Sequence, residues 1–132
     1  MPKPKTTKLS VFKGREAKLN HAIFQNLAHK SPQTIYDIHK QIRKIRGLRY
    51  TRYASVNKRI KALEDEGYIK KVGIRKTKAG SDASLFELTT RAYLVTLLNS
   101  TDLDRLMTKL DEADAAAILA VLLHSLDKDK IG

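Results

Sequence analysis

The segment from residue 52 to residue 72 constrains the fold most strongly, because its apolar spacing changes from helical to strand-like across one glycine. Apolar residues first recur at intervals of three, four and three, which predicts a helix from Arg52 to Glu66. Gly67 follows directly and fits the left-handed position at which helices commonly end. The residues expected on the buried side of this helix are Tyr53, Val56, Ile60 and Leu63.

Two short apolar runs follow this helix and predict a β-hairpin. The first predicted strand runs from Tyr68 to Arg75, and the second runs from Ser84 to Leu88. Between them, residues 76–83 read KTKAGSDA, a sequence rich in turn-forming residues and basic in its first half. We therefore expect a hairpin with a basic tip. Its apolar positions are Ile69, Val72 and Ile74 in the first strand and Leu85 and Phe86 in the second.

Two further helices are predicted before this segment. The first runs from Arg15 to Lys30, where apolar residues recur every four positions and a proline follows. Thr34 begins the second helix, and Asp37 three positions later matches a variant of the capping box. The second helix ends before Gly47 and is expected to bury one stripe, which consists of Ile35, Ile38, Ile42 and Ile45.

The remainder of the chain is predicted to be helical. Thr89 is placed to cap a helix to about Asn99, and Thr101 is placed to cap another. Residues 111–126 read DEADAAAILAVLLHSL, and the centre of this helix is apolar nearly all round. Such a terminal helix needs burial on more than one side, so we expect a second copy of the chain to supply the further cover. The expected dimer contacts are Ile118, Leu119, Val121, Leu122, Leu123 and Leu126.

Charge is distributed unevenly along the 132 residues, whose formal net charge is +12. Residues 1–91 hold 22 Lys or Arg against 7 Asp or Glu, whereas residues 92–132 hold 4 against 7. The first part is therefore strongly basic and the tail is mildly acidic. This split is typical of a nucleic-acid-binding module joined to an assembly module.

Several other classes of protein are disfavoured by the sequence. Without cysteine, the chain has no disulfide, thiolate metal site or cysteine nucleophile. The four histidines lack metal-ligand spacing, and no phosphate-binding loop or dinucleotide fingerprint occurs. We therefore expect no metal, no cofactor, no catalytic residues and no enzymatic activity. The longest apolar stretch, Ala115 to Leu123, is too short to cross a bilayer. We therefore expect a soluble cytoplasmic protein. Its strongly basic first part further suggests association with the nucleoid.

Two stretches resemble a known family. Residues 52–72, RYASVNKRIKALEDEGYIKKV, are similar to the recognition helix and first wing strand of many archaeal and bacterial regulators. Residues 75–89, RKTKAGSDASLFELT, are similar to the wings of PadR-like and MarR-like proteins. The chain thus resembles winged helix-turn-helix DNA-binding proteins over about residues 15–98. The implied fold is mainly α with a small β-hairpin wing, followed by a C-terminal helical dimerisation segment.

The resemblance implies that the third helix enters the major groove of double-stranded DNA while the wing lies on the backbone or the neighbouring minor groove. Three polar residues near the start of that helix are candidates for reading base edges, namely Ser55, Asn57 and Lys58. Basic residues around them are candidates for phosphate contacts, namely Arg46, Arg49, Arg52, Arg59, Lys61, Arg75, Lys76 and Lys78.

The expected organisation has three parts, namely a flexible basic arm at residues 1–14, a winged helix-turn-helix domain at residues 15–98 and the dimerisation segment at residues 99–132. The expected function is that of a double-stranded DNA-binding homodimer acting as a transcriptional regulator, with no small-molecule effector identified. Two alternatives use the same basic faces, namely a chromatin-like protein without sequence specificity and an RNA- or ribosome-associated winged helix. A winged helix used for protein contacts alone is a third alternative.

Overall fold

The computed structural model describes residues 9–131, and the side chains of residues 9–127. The chain divides into two compact units, Met1–Asn99 and Ser100–Gly132. After a short 3-10 turn at Ser10–Phe12, the elements are α1 (Ala17–His29), α2 (Ile35–Ile42), α3 (Tyr53–Asp65), β1 (Ile69–Lys76), β2 (Asp82–Leu88), α4 (Thr90–Ser100), α5 (Leu103–Lys109) and α6 (Glu112–Ile131).

The core of the first unit lies where the first three helices meet the base of the hairpin. The chain has 6% aromatic residues, and most of the buried side chains are accordingly aliphatic. Each helix buries apolar residues of its predicted stripe, because residues three and four apart share one face. The central side chains are Ile23, Phe24 and Leu27 of α1, Ile38 and Ile42 of α2, Val56, Ile60 and Leu63 of α3, and Ile69, Phe86 and Leu88 of the hairpin.

The start of α2 is confirmed, but its end comes earlier than predicted. The Thr34 hydroxyl accepts a hydrogen bond from the Asp37 amide at 3.1 Å, as expected for a capping residue. The helix stops at Ile42, and the Ile45 amide then bonds to the Ile42 carbonyl at 2.9 Å. This three-residue spacing winds the chain more tightly than an α-helix, which turns Ile45 away from the stripe. Ile45 is therefore exposed, contrary to its predicted burial.

The predicted N-terminal arm is partly folded. Val11 and Phe12 belong to the buried core, and the Phe12 ring meets the Phe24 ring edge-on with centroids 5.7 Å apart. These two apolar residues interrupt a basic and proline-containing stretch, and their burial moves the start of the folded unit from the expected residue 15 to residue 10. Residues 1–8 of the predicted arm lie outside the described residues.

The hairpin is antiparallel and carries a bulge in its first strand. Lys71 pairs with Phe86 and Gly73 pairs with Leu85, so Val72 is an additional residue between the two pairs. Val72 and Ile74 are exposed, although the alternation of the sequence favoured them as apolar contacts. At the other edge of β2, the amides and carbonyls of Gln33 and Phe86 bond reciprocally at 3.0 and 2.8 Å, which ties the hairpin to the link before α2.

The second unit consists of α5 and α6. The predicted Thr101 cap is replaced by Asp102, whose carboxylate accepts hydrogen bonds from the amides of Asp104 and Arg105. Asp111 caps α6 in the same way, accepting from the Asp114 amide at 2.7 Å.

Within residues 9–127, no helix combines the length and hydropathy required to span a membrane. Six apolar side chains of α6 are 45 to 69% exposed, namely Ile118, Leu119, Val121, Leu122, Leu123 and Leu126.

Candidate nucleic-acid interface

The orientation of α3 is fixed by its buried side and by contacts at its start. Val56, Ile60 and Leu63 are fully buried and hold one side of the helix against the core. At its start, His39 of α2 donates from Nε2 to the carbonyl of Thr51 at 2.7 Å. The Tyr53 ring meets the His39 ring edge-on and is 47% exposed, so it forms a wall beside the core and not part of its centre.

The outward side of α3 carries the predicted base-reading residues. At about 100° per residue, Lys58 projects roughly opposite the buried stripe. Ser55 and Asn57 lie on its two flanks, about 160° apart around the helix axis. Ser55 and Lys58 are exposed and Asn57 is half-buried. The structure therefore separates Asn57 from Ser55 and Lys58, which line a different concavity.

On the flank of Asn57, a groove of about 950 Å³ lies between α2, α3 and the hairpin. We call it the wing groove. Aromatic rings contribute to its walls, with Tyr36, Tyr53 and Phe86 among the lining residues. It brings together four predicted phosphate-binding residues and one cation of α2 that the sequence did not single out. These cations are Lys61, Arg75, Lys76, Lys78 and Lys40.

On the flank of Ser55, a second concavity of about 560 Å³ lies beside α1 and the start of α3. We call it the α1–α3 pocket. Arg52, Ser55 and Lys58 are among its lining residues. It also includes Arg15 and Lys18 at the start of α1, which the sequence placed in a separate helix. The outward face of α3 therefore has basic side chains on both flanks.

The turn between α2 and α3 adds a third basic region. A concavity of about 500 Å³ is lined by Lys40, Arg43, Lys44 and Arg49 together with two rings, Tyr36 and His39. The guanidinium of Arg49 also lies 5.8 Å from the centre of the Tyr50 ring, within the range of a cation–π contact. Arg46 is exposed in the same turn.

Two cations of the wing groove are paired with carboxylates. Arg75 Nη2 donates to Asp37 Oδ2 at 2.8 Å, which joins the hairpin to the first turn of α2. Lys76 Nζ lies 3.7 Å from Asp82 Oδ1 within the hairpin itself. The Arg75–Asp37 pair joins two elements, whereas the Lys76–Asp82 pair lies within the hairpin.

Arg59 has a structural role that its predicted phosphate contact did not anticipate. Its side chain is 17% exposed, and its Nε donates to the Asn20 side-chain oxygen at 3.0 Å. Asn20 is buried and donates in turn from Nδ2 to the Val11 carbonyl at 2.8 Å. The same Arg59 Nε lies 3.9 Å from a carboxylate oxygen of Glu16. These contacts connect α3 with α1 and the N-terminal turn.

Replacing Asn20 with Ala is expected to lower the free energy of unfolding by about 2 kcal/mol, because two buried hydrogen bonds lose their partner. Urea unfolding followed by circular dichroism measures the change. Asn99→Ala, at an exposed position of α4, is the matched control and is expected to change stability by less than about 0.5 kcal/mol. Equal stability of the two variants would contradict the bridging role of Asn20.

In the wing groove and the α1–α3 pocket, sequence reasoning missed the cations Lys40, Arg15 and Lys18, and in the turn after α2 it missed Arg43 and Lys44. Lys40 was detectable in principle, because it follows Tyr36 by four residues on the side of α2 away from Ile38 and Ile42. Arg15 and Lys18 gave no such signal, since their proximity to α3 depends on how α1 packs. Within the part of the chain whose side chains are described, no group of three or more His, Asp or Glu is arranged to hold a metal ion.

Solved structures provide the comparison with known proteins. Diamide-treated YodB from B. subtilis superimposes with a TM-score of 0.51 and 16% identity, over 68% of this chain and 76% of its own. A PadR-like transcriptional regulator from Bacillus cereus superimposes with a TM-score of 0.50 and 9% identity, over 86% and 96%. Apo MarR from E. coli gives a TM-score of 0.45 and 18% identity, over 79% and 73%. Neither the family models nor the curated proteins match this chain.

The first two likenesses establish the class of fold. Three helices followed by an antiparallel hairpin form a winged helix, as the sequence resemblance predicted. At identities of 16% and 9%, the likeness defines the fold, whereas the interface is defined by the side chains of this chain.

Proposed function

We propose that this protein binds double-stranded DNA and acts as a transcriptional regulator, with α3 in the major groove and the hairpin on the backbone or the neighbouring minor groove. One observation carries the proposal, which is the presence of cations in both concavities that flank the outward face of α3. The PadR-like protein of similar fold is itself named a transcriptional regulator, which supports the regulatory part.

The two basic flanks match the form of the duplex. The major groove is about 12 Å wide, admits one α-helix and is bordered on each side by a phosphate strand. With α3 in the groove, the wing groove faces one strand and the α1–α3 pocket faces the other. Lys58, which lines the α1–α3 pocket on the outward side of α3, is directed at the base edges. Arg59 is left out of the proposed contacts, because its Nε is bonded to the buried Asn20 and its side chain is only 17% exposed.

We further propose that two chains assemble through α6. The helix carries six exposed apolar side chains, and the other helix of its unit, α5, has seven residues with which to cover them. Five of the six fall on one broad stripe at about 100° per residue, and Val121 lies outside it. A dimer would present two copies of α3 to half-sites about one helical turn apart, in a protein located with the nucleoid.

Salt dependence tests the proposal directly. If a dimer neutralises about eight to ten phosphates, the logarithm of the association constant should fall with the logarithm of salt concentration at a slope near −7 to −9. Fluorescence anisotropy with labelled random-sequence duplex measures this slope. A slope near zero, or no binding at 0.1 M salt, would exclude duplex DNA as the partner.

Two further measurements distinguish the alternatives. In competition, duplex DNA is expected to displace the labelled duplex at least as well as structured RNA does. An RNA advantage of tenfold or more would identify an RNA-associated protein instead. Selection from random duplexes is expected to yield a palindromic consensus, whereas high affinity without a consensus would identify an architectural protein.

A further inference from the structure

We infer that Asp37 sets how strongly the wing groove holds a phosphate backbone, because its carboxylate competes with phosphate for the guanidinium of Arg75. The inference rests on the proposed function, since it concerns the same groove. In the free protein, Arg75 Nη2 lies 2.8 Å from Asp37 Oδ2, the distance of a charge-assisted hydrogen bond. A phosphate can use this guanidinium fully when the carboxylate has been displaced.

The position of Asp37 makes it a defined competitor. It lies in the first turn of α2, where its amide is bonded to the Thr34 hydroxyl at 3.1 Å. The backbone of Asp37 is therefore fixed at the helix start, and its carboxylate points across the wing groove to the hairpin. Asp37 and Arg75 both line this groove, beside Lys61 and Lys78. Any polyanion entering the groove meets the Asp37 carboxylate together with these cations.

The pair is better suited to tune binding than to stabilise the fold. The side chains of Arg75 and Asp37 are 52% and 30% exposed, and ion pairs in such surroundings contribute little to folding. A phosphate backbone changes the balance, because it attracts the guanidinium and repels the carboxylate at the same place. Binding therefore includes the cost of separating the pair, and this cost lowers the affinity for every duplex irrespective of sequence.

Asp82 provides a matched comparison within the same groove. It has the same charge and pairs with a wing cation, Lys76, but the two charged atoms are 3.7 Å apart and both side chains are more than half exposed. Neutralising either aspartate changes the net charge equally. A general electrostatic effect would therefore appear in both variants, whereas competition for Arg75 would appear in one.

The test is a double-mutant cycle measured on random-sequence duplex at 0.1 M salt. We expect Asp37→Asn to raise the affinity about three- to tenfold and to steepen the salt slope by up to about 0.9 per chain of the dimer, as for one additional phosphate contact in each chain. In the Arg75→Gln background, the same substitution should change the affinity less than twofold. Asp82→Asn should give a smaller increase that is equal in the two backgrounds. Asp37→Ser is a second carboxylate-free variant, and thermal unfolding verifies that each variant is folded.

The possible results separate this inference from the function on which it rests. A gain for Asp37→Asn that disappears with Arg75→Gln supports the competition. A gain of the same size in both backgrounds, no gain, or a loss of affinity overturns the competition while leaving duplex binding intact. If the unaltered chain does not bind duplex DNA, the proposed function fails and the inference fails with it.

Discussion

Replacing Lys58 and Lys61 together with Glu is expected to weaken binding to duplex DNA at least about 100-fold at 0.1 M salt. Both side chains are exposed on the outward part of α3, and each lies in one of the two basic concavities. The substitution removes two cations from the proposed contact and places two carboxylates against phosphates. Arg59 is left unchanged, since altering it would disturb the bond to Asn20.

The matched control reverses the same number of charges at residues that line neither the wing groove nor the α1–α3 pocket. Arg105→Glu with Lys109→Glu in α5 changes the net charge equally, and both side chains are exposed. We expect less than about a fivefold loss of affinity for this control, arising from long-range electrostatics alone. Anisotropy titrations of both variants measure the difference. Losses of similar size would show that net charge, and not the outward face of α3, determines binding.

The second large effect is expected in the assembly of the chain. Leu119→Asp combined with Leu122→Asp should convert the proposed dimer to a monomer at micromolar concentration. Burial of one leucine contributes about 1.5–3 kcal/mol, and a dimer would lose four of them while desolvating carboxylates. Weakening of self-association by more than about 1000-fold follows from these contributions. Sedimentation velocity over a range of concentrations measures it.

His124→Asp is the control for this experiment. His124 lies about 170° around the helix axis from the centre of the apolar stripe of α6, which consists of Ile118 and the four leucines, at about 100° per residue. It is also exposed. We expect this variant to remain dimeric, and both variants to retain the thermal unfolding of the first unit. A monomeric unaltered chain, or a dimer that persists after removal of residues 111–132, would contradict assembly through α6.

The helices were predictable because each one carries its own periodic signal. The three-four-three spacing of α3 and its terminal glycine identify a helix with one buried side, and Val56, Ile60 and Leu63 are buried as expected. Gly67 adopts a φ of +83°, the left-handed geometry that favours glycine after a helix. The Thr34 cap was predictable for the same reason, since its partner amide lies three residues away.

The predictions that were wrong concern residues whose burial depends on partners distant in the sequence. Val72 and Ile74 alternate like buried strand residues, yet Val72 lies at the bulge of β1, Ile74 pairs with Ser84 beyond it, and both are exposed. Val11 and Phe12 lie in a stretch without helical periodicity, yet Phe12 packs on Phe24. Local propensity contains no information about a partner that is distant in the sequence. Burial of such residues is decided by tertiary packing.

For the candidate interface, the sequence alone determined the winged-helix order of elements, the basic character of the first 91 residues and most of the exposed cations around α3. Only the tertiary structure decided how those cations are used. It divided Ser55 from Asn57, engaged Arg59 with Asn20 and set Asp37 against Arg75. The physical reason is that periodicity defines which side of a helix faces outward, whereas hydrogen bonds and ion pairs depend on distances between elements that fold together.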